Sequence, residues 1–319
     1  MTATHAIPRS SLRDRLTRGE IILLDGALGT ELERRGVSTR LPLWSAQAVL
    51  DAPDRVREVH EEYARAGADI LTAATFRTTP RAVDAVRALG GATAGGGGAR
   101  LDALVLTRAA IALCAEARVK EGATREILIA GSIAPLEDCY APERVPDTAT
   151  AQREHAEQAR RLAEAGADLL LVETMGTIRE AVAAATGAAR TGLPLFVSFI
   201  CRDGAALLGG EPLSDAVRAA EAAGADAILV NCTGVDAMPA CLDTLSRSTS
   251  LPIGCFPNAG SPDLAAGTWH FDSAMTPERF ARAGLTWVQA GAQIVGGCCG
   301  TGPAHVRALR EALPSLLLE

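Results

Sequence analysis

Four segments of the chain share one pattern of hydrophobic and polar positions. They are 64–75 (ARAGADILTAAT), 163–174 (AEAGADLLLVET), 221–232 (EAAGADAILVNC) and, more loosely, 288–299 (VQAGAQIVGGCC). In each, an Ala-rich amphipathic stretch ends at Ala-Gly-Ala and continues into a short apolar run. Glycine commonly ends helices because it accepts a left-handed backbone. A run without polar alternation is typical of a strand buried on both faces of a parallel sheet. The pattern predicts a repeated helix–turn–strand unit.

Four further apolar runs complete a set of eight predicted strands: 21–26, 126–132, 194–199 and 252–256. Eight strands separated by helices over about 300 residues are typical of an α/β protein with a (β/α)8 TIM-type barrel. A doubly wound open sheet is the rival, but the first strand is not followed by a G-x-G-x-x-G fingerprint. We therefore predict one barrel domain over 1–319, with a disordered tail at 1–10 and a flexible Gly-rich insertion at 91–100.

The composition and charge of the chain argue against several classes of function. Of 319 residues, 48% are hydrophobic but only 3% are aromatic, so Ala, Val, Leu and Ile must build the core. The net charge of −7, without runs of like charge, argues against nucleic-acid and membrane-surface binding. No stretch resembles a membrane span or a signal peptide, so we expect a cytoplasmic protein. The apolar C-terminus, 313–319, either caps the barrel or docks to a second subunit in a homo-oligomer; both interpretations stay open.

Polar, acidic and cysteine residues lie at the carboxyl ends of the predicted strands. Catalytic groups of TIM barrels lie where the strands end, at one face of the barrel. In chain order those ends are Asp25-Gly26, Thr75-Phe76, Ser132, Glu173-Thr174, Ser198-Phe199, Asn231-Cys232, Pro257-Asn258 and Cys298-Cys299.

Three of these residues are cysteines, and we predict that they bind one zinc ion. Cys232 and the adjacent Cys298 and Cys299 end strands six and eight, so their thiolates converge. Three thiolate ligands leave a fourth coordination position open, as in catalytic zinc sites, and a thiol entering it would be deprotonated. The glycines at 296, 297 and 300 would let the backbone bend so that both neighbouring side chains face the metal. The plainer interpretation is two small buried residues in a tight turn. Cys139 and Cys201 also follow strand ends, as spare ligands, redox partners or residues without a role.

The motifs DGALGTELERRG (25–36), VNC (230–232), PNAG (257–260) and GGCCGT (296–301) resemble those of the homocysteine S-methyltransferase family. The resemblance runs from about residue 20 to 312. It implies a (β/α)8 barrel in which a zinc-bound homocysteine thiolate attacks an activated methyl group and yields methionine. By motif, the three cysteines match the zinc ligands, and Asp25 and Glu173 match the acids that hold the homocysteine ammonium.

Further residues are assigned to the substrates. The backbone at Gly26 and Ala27 matches the turn that binds the homocysteine carboxylate, and the remaining predicted substrate-binding residues are Thr75, Phe76, Ser198, Asn231 and Asn258. Three structural alternatives stay open: Asp25 as a helix N-cap, Glu173 paired with Arg202, and Asn258 as a cap after strand seven.

The methyl donor is the least defined part of the prediction. We expect no cobalamin or folate module in 319 residues, so S-methylmethionine or S-adenosylmethionine is the first choice. Such a sulfonium cation could rest on an aromatic face, for which Trp44, Phe76 and Tyr140 are candidates. The loop 134–147 is where an altered donor would be recognised. Alternatives are the same zinc-thiolate chemistry with a betaine or dimethylsulfoniopropionate donor, or with another thiol acceptor in a catabolic demethylation, and a zinc- or thiol-binding barrel without turnover.

Overall fold

Eight parallel strands form a nearly closed barrel. The computed structural model describes residues 9–89, 101–121, 125–263 and 268–313. Neighbouring strands follow the chain around the barrel, and a bridge between Leu24 and Ile70 brings the first strand beside the second. The barrel strands are β1 (Ile22–Leu23), β2 (Ile70–Thr72), β3 (Leu128–Ile133), β4 (Leu169–Met175), β5 (Leu195–Phe199), β6 (Ala227–Gly234), β7 (Ile253–Asn258) and, after the short β8 (Gly260–Asp263) and β9 (Thr268–Phe271), β10 (Ala292–Val295).

Helices surround the barrel and also close its lower end. Leu12 and Leu16 of the first helix pack with the apolar residues inside the barrel, at the end opposite the predicted site. No helix of the described ranges is long and apolar enough to cross a lipid bilayer. The helices are α1 (Arg9–Thr17), α2 (Gly29–Arg34), α3 (Ser45–Asp51), α4 (Pro53–Ala66), α5 (Pro80–Ala88), α6 (Ala103–Glu121), α7 (Thr148–Ala165), α8 (Ile178–Ala189), α9 (Leu213–Ala222), α10 (Met238–Ser248), α11 (Pro277–Gln289) and α12 (Pro303–Ala312).

The repeated Ala-Gly-Ala pattern has the predicted structural basis. Its glycines, at 67, 166, 224 and 291, have φ of 105°, 98°, 100° and 97° at the junction of a helix and the following strand. Each thus adopts the left-handed backbone that ends a helix without steric cost. The predicted TIM-type barrel is confirmed.

A polar layer lies above the apolar interior of the barrel. Side chains alternate along a strand, so Leu169 and Leu171 of β4 point inward, and Glu173 continues the same row. The same alternation places polar residues at the ends of the neighbouring strands, namely Thr72, Ser132, Ser198 and Asn231, which are all buried or half-buried. The sequence therefore builds a polar floor at the carboxyl end of the barrel.

One element was absent from the sequence-based prediction. Strands β8 and β9 form an antiparallel hairpin between β7 and α11, pairing Gly260 with Phe271 and Asp263 with Thr268. The predicted tail and insertion fall mostly outside the described residues: 1–8 and 91–100 are not described, whereas α1 begins at residue 9. Of the C-terminal segment, only the buried Leu313 is described.

Candidate functional site

A cavity of about 740 Å³ opens above the polar floor. Its walls come from the turn after β1, the loops after β2 and β3, the hairpin β8–β9 and the turn after β10. Most of its lining is apolar, with a few convergent polar groups, which is the usual make-up of a small-molecule site. It is the natural place for chemistry in this barrel because it lies at the carboxyl ends of the strands.

Three thiols converge at the base of this cavity. The sulfur atoms of Cys232, Cys298 and Cys299 lie within 4.8 Å of one another, and the Cys232 and Cys298 sulfurs are 3.0 Å apart. Hydrogen bonds from its two neighbouring thiols hold the pKa of Cys298 well below its usual range, whereas sharing a proton with Cys298 raises that of Cys232. Within the described residues, this is the one group of three that could hold a metal ion.

The backbone is strained at Cys232 and closely packed around Cys298 and Cys299. Cys232 and Thr174 have φ of 50° and 63°, a region that non-glycine residues rarely adopt and that is costly for a β-branched residue. Both lie where the strand register slips, so the strain turns the end of each strand towards the cavity.

The glycines around Cys298 and Cys299 have different roles from the one predicted for all three. Gly300 alone among them has a left-handed φ, of 85°. A Cβ at Gly297 would lie 2.3 Å from the Thr301 hydroxyl oxygen, and one at Gly296 would lie 2.6 Å from the Leu24 Cβ. A Cβ at Gly300 would lie 2.0 Å from the Ala259 carbonyl oxygen, so close packing requires all three glycines, and Gly300 is required by its backbone conformation as well.

Asp25 projects into the cavity from the turn after β1 and is 4% exposed. Its carboxylate accepts hydrogen bonds from the Thr72 amide (2.7 Å) and hydroxyl (2.9 Å). Burial outweighs these bonds and raises its pKa to about 7. The N-cap position of α2 is Leu28, so Asp25 does not cap this helix.

Glu173, on β4, also lines the cavity and is also buried. It accepts hydrogen bonds from the Ser132 hydroxyl (2.5 Å) and the Asn231 amide nitrogen (3.3 Å). Burial, followed by the nearby Cys298 charge, raises its pKa to about 8. Arg202 is exposed and lies near Asp203 instead, so the alternative pairing with Glu173 is not formed.

The other predicted substrate residues fall into two groups. Gly26, Ala27 and Phe76 line the cavity together with the two acids and the three cysteines. Four residues do not line it and lie in or beside the floor: Thr75, Ser198, Asn231 and Asn258. Thr75 bonds to the backbone of Ser132, and Ser198 donates to Asn231 (2.7 Å). Their contacts are those of residues that support the site from below.

Aromatic side chains form the outer wall. Trp44 and Phe76 meet edge to face at 5.2 Å, and Trp44 has a φ of 49°. Tyr140, from the loop after β3, also lines the cavity, as does Trp269 from the hairpin. The Trp269 indole nitrogen is buried and has no hydrogen-bond partner among the described residues. Sequence reasoning missed Trp269, and only its position in a Gly- and Pro-containing segment after β7 could have pointed to it.

The two remaining cysteines near strand ends differ in position. Cys139 lines the cavity, and burial raises the pKa of its thiol to about 12. Cys201 lies below the rim, where its amide donates to the Thr233 hydroxyl. Neither belongs to the group of three converging thiols.

Comparison with known proteins agrees with this geometry. A sequence model of homocysteine S-methyltransferases matches residues 22–313. The chain belongs to the homocysteine S-methyltransferase family. It is 35% identical to a homocysteine S-methyltransferase of Escherichia coli (94% of this chain, 97% of that protein) and 31% identical to the homocysteine S-methyltransferase YbgG of Bacillus subtilis (93% and 95%). The crystal structure of the homocysteine methyltransferase MmuM from Escherichia coli, in its metallated form, superposes with a TM-score of 0.79 at 31% identity, covering 95% of this chain and 99% of that one.

This membership confirms the family resemblance and the methyltransferase class predicted from the motifs. The four motifs that carry the resemblance lie at the carboxyl ends of barrel strands, and residues of three of them, all but PNAG, line the cavity. DGALGT forms the turn after β1, VNC ends β6, PNAG ends β7, and GGCCGT follows β10.

Proposed function

We propose that the protein transfers a methyl group from a sulfonium donor, S-methylmethionine or S-adenosylmethionine, to the thiol of L-homocysteine and so produces methionine. The observation that carries the proposal is the convergence of three thiols, within 4.8 Å of one another, at the base of a cavity that two buried carboxyl groups also face. A metal site alone would need no such pair of acids beside it.

The three thiols suit one zinc ion per chain. In a tetrahedral zinc site with bonds of about 2.3 Å, the sulfur atoms lie about 3.8 Å apart, so small side-chain adjustments would bring Cys232, Cys298 and Cys299 to ligand positions. The existence of a metallated form of the related MmuM agrees with metal binding in a barrel of this family. Zinc held by three thiolates would lower the pKa of the acceptor thiol and keep it a nucleophilic thiolate.

The chain's own residues would fix the amino-acid end of homocysteine. Asp25 and Glu173 face the cavity with pKa values raised to about 7 and about 8, because burial disfavours their charged forms. An ammonium group placed between them would favour their charged forms and would be held by both. The backbone at Gly26 and Ala27 lies beside Asp25 and would receive the carboxylate.

The aromatic wall would hold the donor. A sulfonium is a cation without N–H or O–H donors, so it can be held by aromatic rings through cation–π attraction, and Trp44, Phe76, Tyr140 and Trp269 line the cavity. In the transfer, the acceptor sulfur forms the new bond to the methyl carbon while the bond from that carbon to the sulfonium sulfur breaks. The electron pair of the broken bond stays on the donor, which leaves as a neutral thioether. No side chain needs to act as a general base in this step.

Product analysis together with metal analysis tests the proposal. The protein is purified without chelators in the presence of zinc and incubated with homocysteine and, in turn, S-methylmethionine, S-adenosylmethionine, betaine and dimethylsulfoniopropionate. We expect methionine with a sulfonium donor and one zinc per chain. Cys298→Ala should lose both, whereas Cys139→Ala, a cavity cysteine outside the converging group, should keep the zinc.

The outcomes separate the alternatives. Methionine formed only with betaine or dimethylsulfoniopropionate would replace the donor assignment. Methylation of another thiol, without methionine, would replace the acceptor. Zinc binding without turnover for any pair of substrates would indicate a barrel that stores or senses zinc or thiols. Full zinc retention in the Cys298→Ala protein would refute the site itself.

A further inference from the structure

The outer face of α6 carries apolar residues where a surface helix usually carries polar ones. Val105 and Val119 are 65% and 80% exposed, and Ala112 between them is exposed as well. A helix that is apolar on its outer face as well as its inner face is expected to be covered on both. The described residues of this chain leave the outer face in contact with solvent.

The residues on this face are arranged symmetrically about Ala112. Valines lie seven positions on either side of it, alanines three positions on either side, and an arginine and a glutamate four positions before and after it. At about 100° per residue, all of them fall within about 60° of the direction of Ala112. We call this set the α6 seam: Val105, Arg108, Ala109, Ala112, Ala115, Glu116 and Val119.

The α6 seam carries one positive and one negative side chain at mirrored positions, which two antiparallel copies would bring together. Arg108 and Glu116 are eight residues apart, too far to pair along one helix. In the described part of the chain Arg108 has no ion pair, whereas the Glu116 carboxylate forms an ion pair with the Arg57 guanidinium of α4, 3.6 Å away. If a second α6 lies antiparallel, Arg108 of each copy comes level with Glu116 of the other.

We propose that two copies of this protein associate through the α6 seam, antiparallel about a two-fold axis at Ala112. The alanines allow the two helices to approach closely, and Val105 of one copy lies opposite Val119 of the other. A surface depression beside Val119 receives Val105 of the other copy; it is lined by Ala112, Ala115, Glu116, Val119 and Lys120.

A second copy is the occupant because the seam has the same pattern in both directions along the helix. Only a self-complementary contact uses that symmetry, as two-fold interfaces do. The seam extends over fourteen residue steps, about 21 Å, so the interface is small and the association is weak and concentration-dependent.

Sedimentation of the full chain over a range of concentrations tests the proposal. We expect a reversible monomer–dimer equilibrium. Arg108→Glu or Glu116→Arg alone sets like charges opposite each other twice per dimer and should weaken association about tenfold. The double variant Arg108→Glu/Glu116→Arg restores opposite charges and should restore association. Arg247→Glu, an exposed charge reversal on α10, should leave it unchanged.

A covalent test does not depend on charge. Ala112→Cys places two thiols at the two-fold axis, and mild oxidation should give a dimer on a non-reducing gel. Ala149→Cys, an exposed position of α7, and the wild type should give none. A monomer at every concentration, a dimer unaffected by both single charge reversals, or equal cross-linking of the Ala112→Cys and Ala149→Cys proteins would overturn the proposal.

Discussion

Replacing Asn231 with alanine should remove the support of the thiol site from below. The Asn231 side chain is completely buried, and its amide group makes three short hydrogen bonds: from the Ser198 hydroxyl (2.7 Å), to the Thr174 hydroxyl (2.8 Å) and from the Thr174 amide (2.9 Å). Asn231 thereby bonds the backbone N–H and the hydroxyl of Thr174, a residue held in a strained left-handed conformation.

The cost can be estimated from these contacts. Three buried hydrogen bonds contribute about 1 kcal/mol each, and leaving the Thr174 amide buried without a partner costs about 1 kcal/mol more. Asn231→Ala should therefore lower the free energy of unfolding by about 4 kcal/mol, a large share of the 5–15 kcal/mol typical of a domain. Because Cys232 is the next residue, zinc affinity should fall by roughly 10- to 100-fold, as it does when residues supporting metal ligands are removed.

Asn258→Ala is the matched control. Asn258 is a buried asparagine at the end of the neighbouring strand β7, but its side-chain oxygen accepts no hydrogen bond within the described residues. Asn258→Ala should lower the free energy of unfolding by only about 1 kcal/mol. Urea unfolding of both metal-free proteins, followed by circular dichroism, gives the comparison, and a chromophoric chelator gives the zinc affinities. Equal destabilisation by the two substitutions would refute the reasoning.

Three further predictions concern the rest of the barrel. Burial lowers the pKa of His60 to about 4, so below its unfolded pKa of 6.5 the unfolded chain binds a proton that the folded protein does not, and the folded protein loses stability as the pH falls. His60→Leu should therefore exceed the wild type in free energy of unfolding by about 3 kcal/mol more at pH 4 than at pH 7, measured in urea. A difference that does not change with pH would contradict this. Thr72→Val removes one hydrogen bond to Asp25 and should raise the KM for homocysteine about tenfold with little change in kcat, which unchanged steady-state kinetics would exclude. A Cβ at Gly29 would lie 2.3 Å from the Trp44 ring, so Gly29→Ala should displace Trp44 from the cavity wall. The KM of the methyl donor should then rise about tenfold while the KM of homocysteine stays constant. A rise in both KM values would argue against a separate binding site for the donor at the aromatic wall.

The barrel was predictable because its signals are repeated. Four copies of an Ala-Gly-Ala boundary, each with a left-handed glycine, indicated a repeated helix–strand unit, and four further apolar runs brought the number of predicted strands to eight. The alternation of side chains then fixed which residues face inward at the strand ends. Once the strand ends were known, Cys232 and the Cys298-Cys299 pair had to lie near one another.

The finer geometry was not predictable, for identifiable reasons. The left-handed conformations of Thr174 and Cys232 carry no local sequence signal, because both residue types disfavour them and only the surrounding contacts impose them. Strands of four residues, such as β8 and β9, are too short to show alternation, so the hairpin that brings Trp269 to the cavity was missed. Asn231 was predicted to touch substrate; in the structure it lies in the polar floor without lining the cavity, and its amide group bonds Ser198, Thr174 and Glu173.

The central claim is that three thiolates hold zinc with one position open to the thiol of the acceptor. X-ray absorption at the zinc edge, recorded on the loaded protein before and after homocysteine is added, tests it most directly. We expect three sulfur ligands and one lighter ligand in the free protein, and four sulfur ligands with homocysteine. A sulfur count that does not rise on addition of homocysteine, or that is already four without it, would contradict an open three-thiolate site.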